Sequence, residues 1–248
     1  NPTILDQWIA VDNSIAPAKS SQIVLGYEEY LNNLYKLQVE GYYKDIKNLF
    51  TFEESRATTD EAVSDSVLSD IVTPSNGYAY GLELFAQKMS GRLSGWLAYT
   101  FSVSRKSMNS IFYDKSEEYY NSWDRTHSFS ALGNYIFNNK WDMNWKLSLQ
   151  SGQAYTPIIG YYNQVLPGSP DEVFRTIPGT RNSARYSPYS RLDLGFVYHT
   201  KIFGTNMDIY VQIINVFNRK NMFRKSYSVG STYNGIDDDG DWDEEKHD

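Results

Sequence analysis

Residues 141 to 150 read WDMNWKLSLQ, and large apolar and polar side chains alternate along them without interruption. A period of two belongs to a β-strand, whose successive side chains point to opposite faces of a sheet. Trp141, Met143, Trp145, Leu147 and Leu149 fall on one face, and Asp142, Asn144, Lys146, Ser148 and Gln150 on the other. The same pattern recurs. Tyr35, Leu37, Val39 and Tyr43 oppose Lys36, Gln38 and Glu40; Leu97, Tyr99, Phe101 and Val103 oppose Ala98, Thr100 and Ser102; Leu192, Leu194, Phe196 and Tyr198 oppose Arg191, Asp193 and His199. Noisier segments at 22–30, 78–88, 126–137 and 207–217, rich in aromatic and β-branched residues, bring the expectation to about eight strands of about ten residues each.

An alternating strand suits either a soluble sandwich, whose polar face meets bulk water, or a membrane barrel, whose apolar face meets lipid. The connections separate the two. Asn32-Asn33, Ser90-Gly91-Arg92, Asn138-Asn139-Lys140 and Phe203-Gly204-Thr205 have the residues of tight turns. Long polar stretches at 53–76, 105–122, 151–187 and beyond Asn218 lie between them. Strict alternation of short and long connections is the pattern of a membrane barrel, with turns at one rim and external loops at the other. Aromatic residues near the expected strand ends, Trp96, Trp123, Tyr135, Trp141 and Tyr155, suit interfacial girdles. Gly81 and Gly133, inside strands, are expected to make room for a large neighbouring ring or a bend in a closing sheet.

Composition agrees with this reading. No apolar run is long enough for a transmembrane helix, but barrel strands average out as polar, and the mean hydropathy is -0.54. The net charge of -7 argues against nucleic acid as a partner. The chain contains no cysteine, which excludes disulfides and thiolate metal sites.

Several strings also resemble a known family. They are Leu25-Gly26-Tyr27-Glu28, the run from Val39 to Leu49 (VEGYYKDIKNL), Gly81-Leu82-Glu83, Tyr99-Thr100 and Asp124-Arg125-Thr126-His127. SGQAYTP at 151–157, Tyr189 to Leu194 (YSRLDL) and Asn215-Val216-Phe217-Asn218 complete the set. In order and spacing, from Thr3 to Tyr227, this is similar to the C-terminal barrel half of TonB-dependent outer-membrane receptors. The resemblance implies an all-β, antiparallel transmembrane β-barrel, with about eight strands here out of about 22 in the whole wall. It implies location in the outer membrane of a Gram-negative bacterium, contact with outer-membrane lipid, and energy-coupled uptake of a nutrient ligand such as a chelate or carbohydrate. The TonB complex would act through an N-terminal plug that this chain lacks. Residues 1–248 are accordingly expected to be the C-terminal portion of such a barrel, with 219–248 an external loop or acidic tail. The alternatives are a small passive porin closed from these strands alone, and a barrel hydrolase.

Three groups of residues are candidates for chemistry. The long segment 151–187 carries Tyr155, Tyr161, Tyr162, Arg175, Arg181 and Arg185, flat rings and guanidinium groups suited to a polar organic ligand. Asp124 and His127, where a long loop re-enters a strand, are expected to pair across the rim, and a hydrolase would use them as orienter and base. No G-x-S-x-G elbow accompanies them, so the expectation is a protein that is not an enzyme. In the tail, Asp237, Asp239, Asp241 and Asp243 alternate around Gly240 and could converge hard oxygen ligands on calcium. That segment departs from the EF-hand pattern, which would put Gly235 and Lys246 where carboxylates are required.

Overall fold

The structure is a computed structural model that describes residues 16–52, 72–109, 116–165 and 172–222. Among these residues there is no helix. The strands are β1 (Lys19–Leu31), β2 (Tyr35–Phe52), β3 (Val72–Lys88), β4 (Leu93–Asn109), β5 (Ser116–Tyr120), β6 (His127–Asn138) and β7 (Trp141–Gln150). After them come β8 (Ala154–Tyr155), β9 (Ile158–Val165), β10 (Glu172–Pro178), β11 (Ala184–Arg185), β12 (Tyr189–Ile202) and β13 (Thr205–Ile213). Strands β1, β2, β3, β4, β6, β7, β12 and β13 lie side by side in that order, each antiparallel to its neighbour, and β5 pairs with the far end of β4. These are the eight long strands expected. The sheet is open: β1 and β13 form its two edges, and among the described residues they do not pair with each other.

Cross-strand partners share a face, so the register decides which side chains lie together. Leu147 pairs with Ala131 and Leu192, Trp145 with Gly133 and Leu194, and Met143 with Tyr135 and Phe196. The same row continues through Leu97 opposite Ala131, Ala86 opposite Leu97, and Leu37 opposite Ala86. Tyr27, Leu25 and Ile23 extend it along β1, interrupted by Glu29 near the turn, and Ile213, Val211 and Ile209 extend it along β13. One side of the sheet is thus an apolar band across all eight strands. Many of its residues are exposed, among them Leu25, Leu37, Leu82, Leu97 and Val211.

On this face the band is bounded along the strands. Beyond Val103 on β4 comes Arg105, and beyond Tyr43 on β2 comes Asp45; Lys88 marks the opposite end on β3. Between these limits each strand contributes about ten residues, the length that a tilted strand needs to cross a bilayer core. The opposite face carries most of the polar side chains, with a few large apolar ones such as Val24, Phe85, Trp96 and Leu132 among them, and is tied together by its own bonds. The His199 ring sits between Asp142 (3.0 Å) and Asp208 (2.7 Å), linking β7, β12 and β13. Asp193 accepts from Arg191 and from the backbone N–H of Asn215.

The tight connections all lie at one end of the sheet, joining β1 to β2, β3 to β4, β6 to β7 and β12 to β13. Asn32 and Asn33 take left-handed backbone at φ 50° and 53°, and Phe203 and Gly204 do so at 49° and 81°. Asparagine tolerates that region because its side chain bonds locally. In the Asn138 turn the side chain instead accepts from the N–H of Lys140 at 2.9 Å.

The long connections differ from the sequence expectation, because strands penetrate three of them. β3 begins at Val72 and β4 continues to Asn109, where β5 folds back on it. Segment 151–187 holds β8 to β11, which form two small two-stranded sheets, β9 with β10 and β8 with β11. Segment 53–76 and segment 105–122 read as loops because their polar residues hide the alternation that ladder bonds alone sustain. The girdle assignment also changes. Trp96 pairs with Gln87 and Leu132 on the polar face, where it stacks on Phe85 with ring centres 6.1 Å apart. Trp123 and Tyr155 lie outside the long strands, which leaves Tyr135 and Trp141 on the apolar face near the tight turns.

Candidate functional site

At the end of the sheet opposite the tight turns, residues 121–126 and the segment after β7 fold against each other. The junction is built on Asp124, whose side chain is fully buried. One carboxylate oxygen accepts the backbone N–H of Ser104 at 2.7 Å, and the other accepts Nη2 of Arg185 at 2.6 Å. The same guanidinium donates from Nη1 to the backbone oxygens of Asp124 (3.2 Å) and Gly152 (3.1 Å). Its plane lies over the Tyr120 ring, 4.7 Å from the centroid. A planar group with several donors in fixed directions is what can join three segments at once.

Asn182 adds a second tie. It has left-handed backbone (φ 47°), donates from Nδ2 to the Tyr120 carbonyl at 2.6 Å, and donates its backbone N–H to Thr156 Oγ1 at 3.1 Å. Gly152 passes so close to the Tyr186 carbonyl that no Cβ fits between them. These constraints bring Tyr155 of β8 onto Tyr186, stacked with centroids 4.3 Å apart and planes 13° from parallel. Beside the stack opens a cleft of about 450 Å³, lined by Trp123, Gln153, Tyr155, Thr156, Asn182 and Tyr186 among others. Trp123 is 63% exposed, so the indole offers its surface to a ligand.

The ligand candidates in 151–187 do not converge on one point. Tyr155 lines the cleft. Arg185 is spent on Asp124 and serves as an internal tie. Tyr161 and Tyr162 are both exposed on β9, but as consecutive strand residues they point to opposite faces. Arg175 pairs in register with Tyr162 on β10, and only its backbone is described. Arg181 lies 5.1 Å from the Tyr119 ring centroid, next to Asn182 at the lip of the cleft.

Asp124 and His127 do not form the expected pair. His127 shares a face with Phe101, and its Nδ1 lies 2.8 Å from the Tyr99 hydroxyl, whereas Asp124 turns under β4 to Arg185. A strand entry three residues long cannot bring both side chains to one face once Asp124 is anchored to Ser104. The tail residues Asp237, Asp239, Asp241 and Asp243 lie outside the described residues, and among the described residues no cluster of metal-ligating side chains occurs.

The site also contains residues that the sequence did not single out. Lys106 pairs across β4 and β5 with Tyr119, and its Nζ lies 5.4 Å from the Trp123 ring centroid. Burial, and after it the neighbouring Arg181 charge, hold the Lys106 amine below its ordinary pKa. Next to it, Arg105 is bound to Glu118 at 2.7 Å and stacked over Tyr120. Glu118 also accepts the Tyr78 hydroxyl at 2.6 Å, and the Arg105 bond, then the Tyr78 bond, keeps its carboxyl below the usual range. Nothing in the sequence pattern pointed to this cluster, because its members come from β3, β4, β5 and two connections.

A second hollow of about 310 Å³ lies near the tight turns, around Gly95, Leu97, Gly133 and Trp145, and is almost wholly apolar. Gln87, Lys88 and Ser94 are the polar residues among its lining. The chain matches no protein-family model and no curated protein sequence.

Proposed function

We propose that this chain is part of the wall of an outer-membrane transport barrel that captures a nutrient at its external end. In this reading the apolar band meets lipid, the polar face lines the interior, and the Trp123 cleft lies outside the cell. The observation that carries it is the band itself: eight adjacent strands, one apolar face bounded by Asp45, Lys88 and Arg105, and tight turns confined to one end. A soluble sheet with such a face would leave a large apolar surface uncovered, which water penalises at about 25 cal/mol per Å². The open edges of β1 and β13 support a larger barrel, since unpaired strand edges are not tolerated in lipid. The likeness to TonB-dependent receptors adds the mechanism: uptake driven by an inner-membrane partner acting through a plug. The chain then contributes the wall and part of the ligand site and performs no chemistry of its own.

Cysteine labelling tests the placement. In intact cells, an impermeant maleimide is expected to label Thr180→Cys and to spare Asn139→Cys until the outer membrane is permeabilised. Labelling of Asn139→Cys alone, or recovery of the protein in the soluble fraction, overturns the reading.

A further inference from the structure

The geometry points to an anion site at the lip of the cleft, in which Lys106 and Arg181 bind the carboxylate of an acidic saccharide while Trp123 and the Tyr155 and Tyr186 stack hold its rings. This deepens the receptor reading and rests on it.

The two cations meet around one ring. Lys106 is the cross-strand partner of Tyr119, and the Arg181 guanidinium lies over the same tyrosine, 5.1 Å from its centroid. Lys106 in turn approaches the Trp123 indole to 5.4 Å, and both Trp123 and Asn182, the residue after Arg181, line the cleft. Among the described residues neither cation makes a hydrogen bond or ion pair. Of the arginines around them, Arg105 is neutralised by Glu118 and Arg185 by Asp124, and Arg125 bonds the Gln150 amide. A chain with 30 acidic residues has no shortage of carboxylates, yet none of those described reaches this pair.

Half-buried like charges held together are costly, and the faces of Tyr119 and Trp123 offset only part of that cost. A carboxylate bridging the two would remove it through charge-assisted hydrogen bonds. Burial, and after it the Arg181 charge, already disfavours the Lys106 ammonium. The rest of the cleft selects the body of the ligand. The Gln153 and Ser122 side chains make no hydrogen bond among the described residues and are neutral, so they suit hydroxyl groups, and the exposed indole suits the flat face of a sugar ring. Ring, hydroxyl and carboxylate together describe a uronate.

The test is calorimetric titration of the complete receptor in detergent with three hexasaccharide probes, built of galacturonate, mannuronate or glucuronate. The methyl ester of each serves as its neutral counterpart. At least one acid form is expected to bind tenfold or more tightly than its ester. Lys106→Gln with Arg181→Gln should erase that preference while leaving ester binding unchanged, and Trp123→Ala should weaken acid and ester alike. Equal binding of acid and ester, no binding of any probe at millimolar concentration, or tighter binding of 2,3-dihydroxybenzoate than of any uronate would overturn the inference. If Thr180→Cys is still labelled in intact cells, such a result rejects the ligand assignment and leaves the receptor reading standing. Loss of that labelling would instead count against the receptor reading, and with it the inference.

Discussion

The indole of Trp145 occupies the space where a side chain on Gly133, its cross-strand partner, would stand. The nearest ring atoms leave no room for a Cβ, so the glycine is a condition for the tryptophan's position. Gly133→Ala is therefore expected to destabilise the sheet by about 1–3 kcal/mol, the usual cost of forcing a side chain from its place. Trp145→Leu in the same chain should recover most of the loss, because it removes the obstructing ring. Urea midpoints of the refolded protein in lipid vesicles measure both.

A similar test separates the two faces. Leu97 lies in the middle of the apolar band, and Thr100 lies on the polar face of the same strand. An arginine at position 97 is expected to cost about 2–4 kcal/mol if that face meets lipid, and one at position 100 far less. Equal costs would mean that the apolar band is not a membrane surface.

Asp124 and Arg185 hold together segments 61 residues apart, with the carboxylate fully buried. Asp124→Ala leaves Arg185 half-buried without its partner, and Arg185→Ala leaves a buried carboxylate, so each is expected to cost about 3–5 kcal/mol locally. Because the tie is at one end of the sheet, the loss should appear as rapid proteolysis between residues 179 and 188, with the long strands intact. Arg185→Lys should rescue only in part, since a single ammonium cannot replace the three acceptor contacts of the guanidinium.

Glu118 makes the β4 and β5 hairpin sensitive to acid. Its folded pKa lies below its unfolded value, chiefly through Arg105, so its contribution is complete above the unfolded value and is lost as pH falls through the folded one. The group is largely exposed, which keeps the effect small. Amide exchange in β5 should accelerate below the ordinary glutamate range in the wild type. Glu118→Gln should remove this pH dependence, and an unchanged profile would show that the Arg105 bond does not hold the hairpin.

The sequence by itself determined the eight long strands, the faces of the four that alternate cleanly and the end at which the tight turns gather. These follow from local physics: side chains alternate with a period of two, and tight turns favour glycine and asparagine, which adopt left-handed backbone at least cost. Gly133 was legible as a space for a ring, although not as the space for Trp145. The site was legible only in part. Tyr155 and Arg181 stood out as a ring and a cation, but their partners Tyr186 and Tyr119 did not, and Arg185 was read as a ligand group when it is a structural tie. Strand pairing and loop docking decided these points. They bring together residues as distant as Asp124 and Arg185, or Lys106 and Arg181, and no periodicity in the chain encodes contacts across such separations.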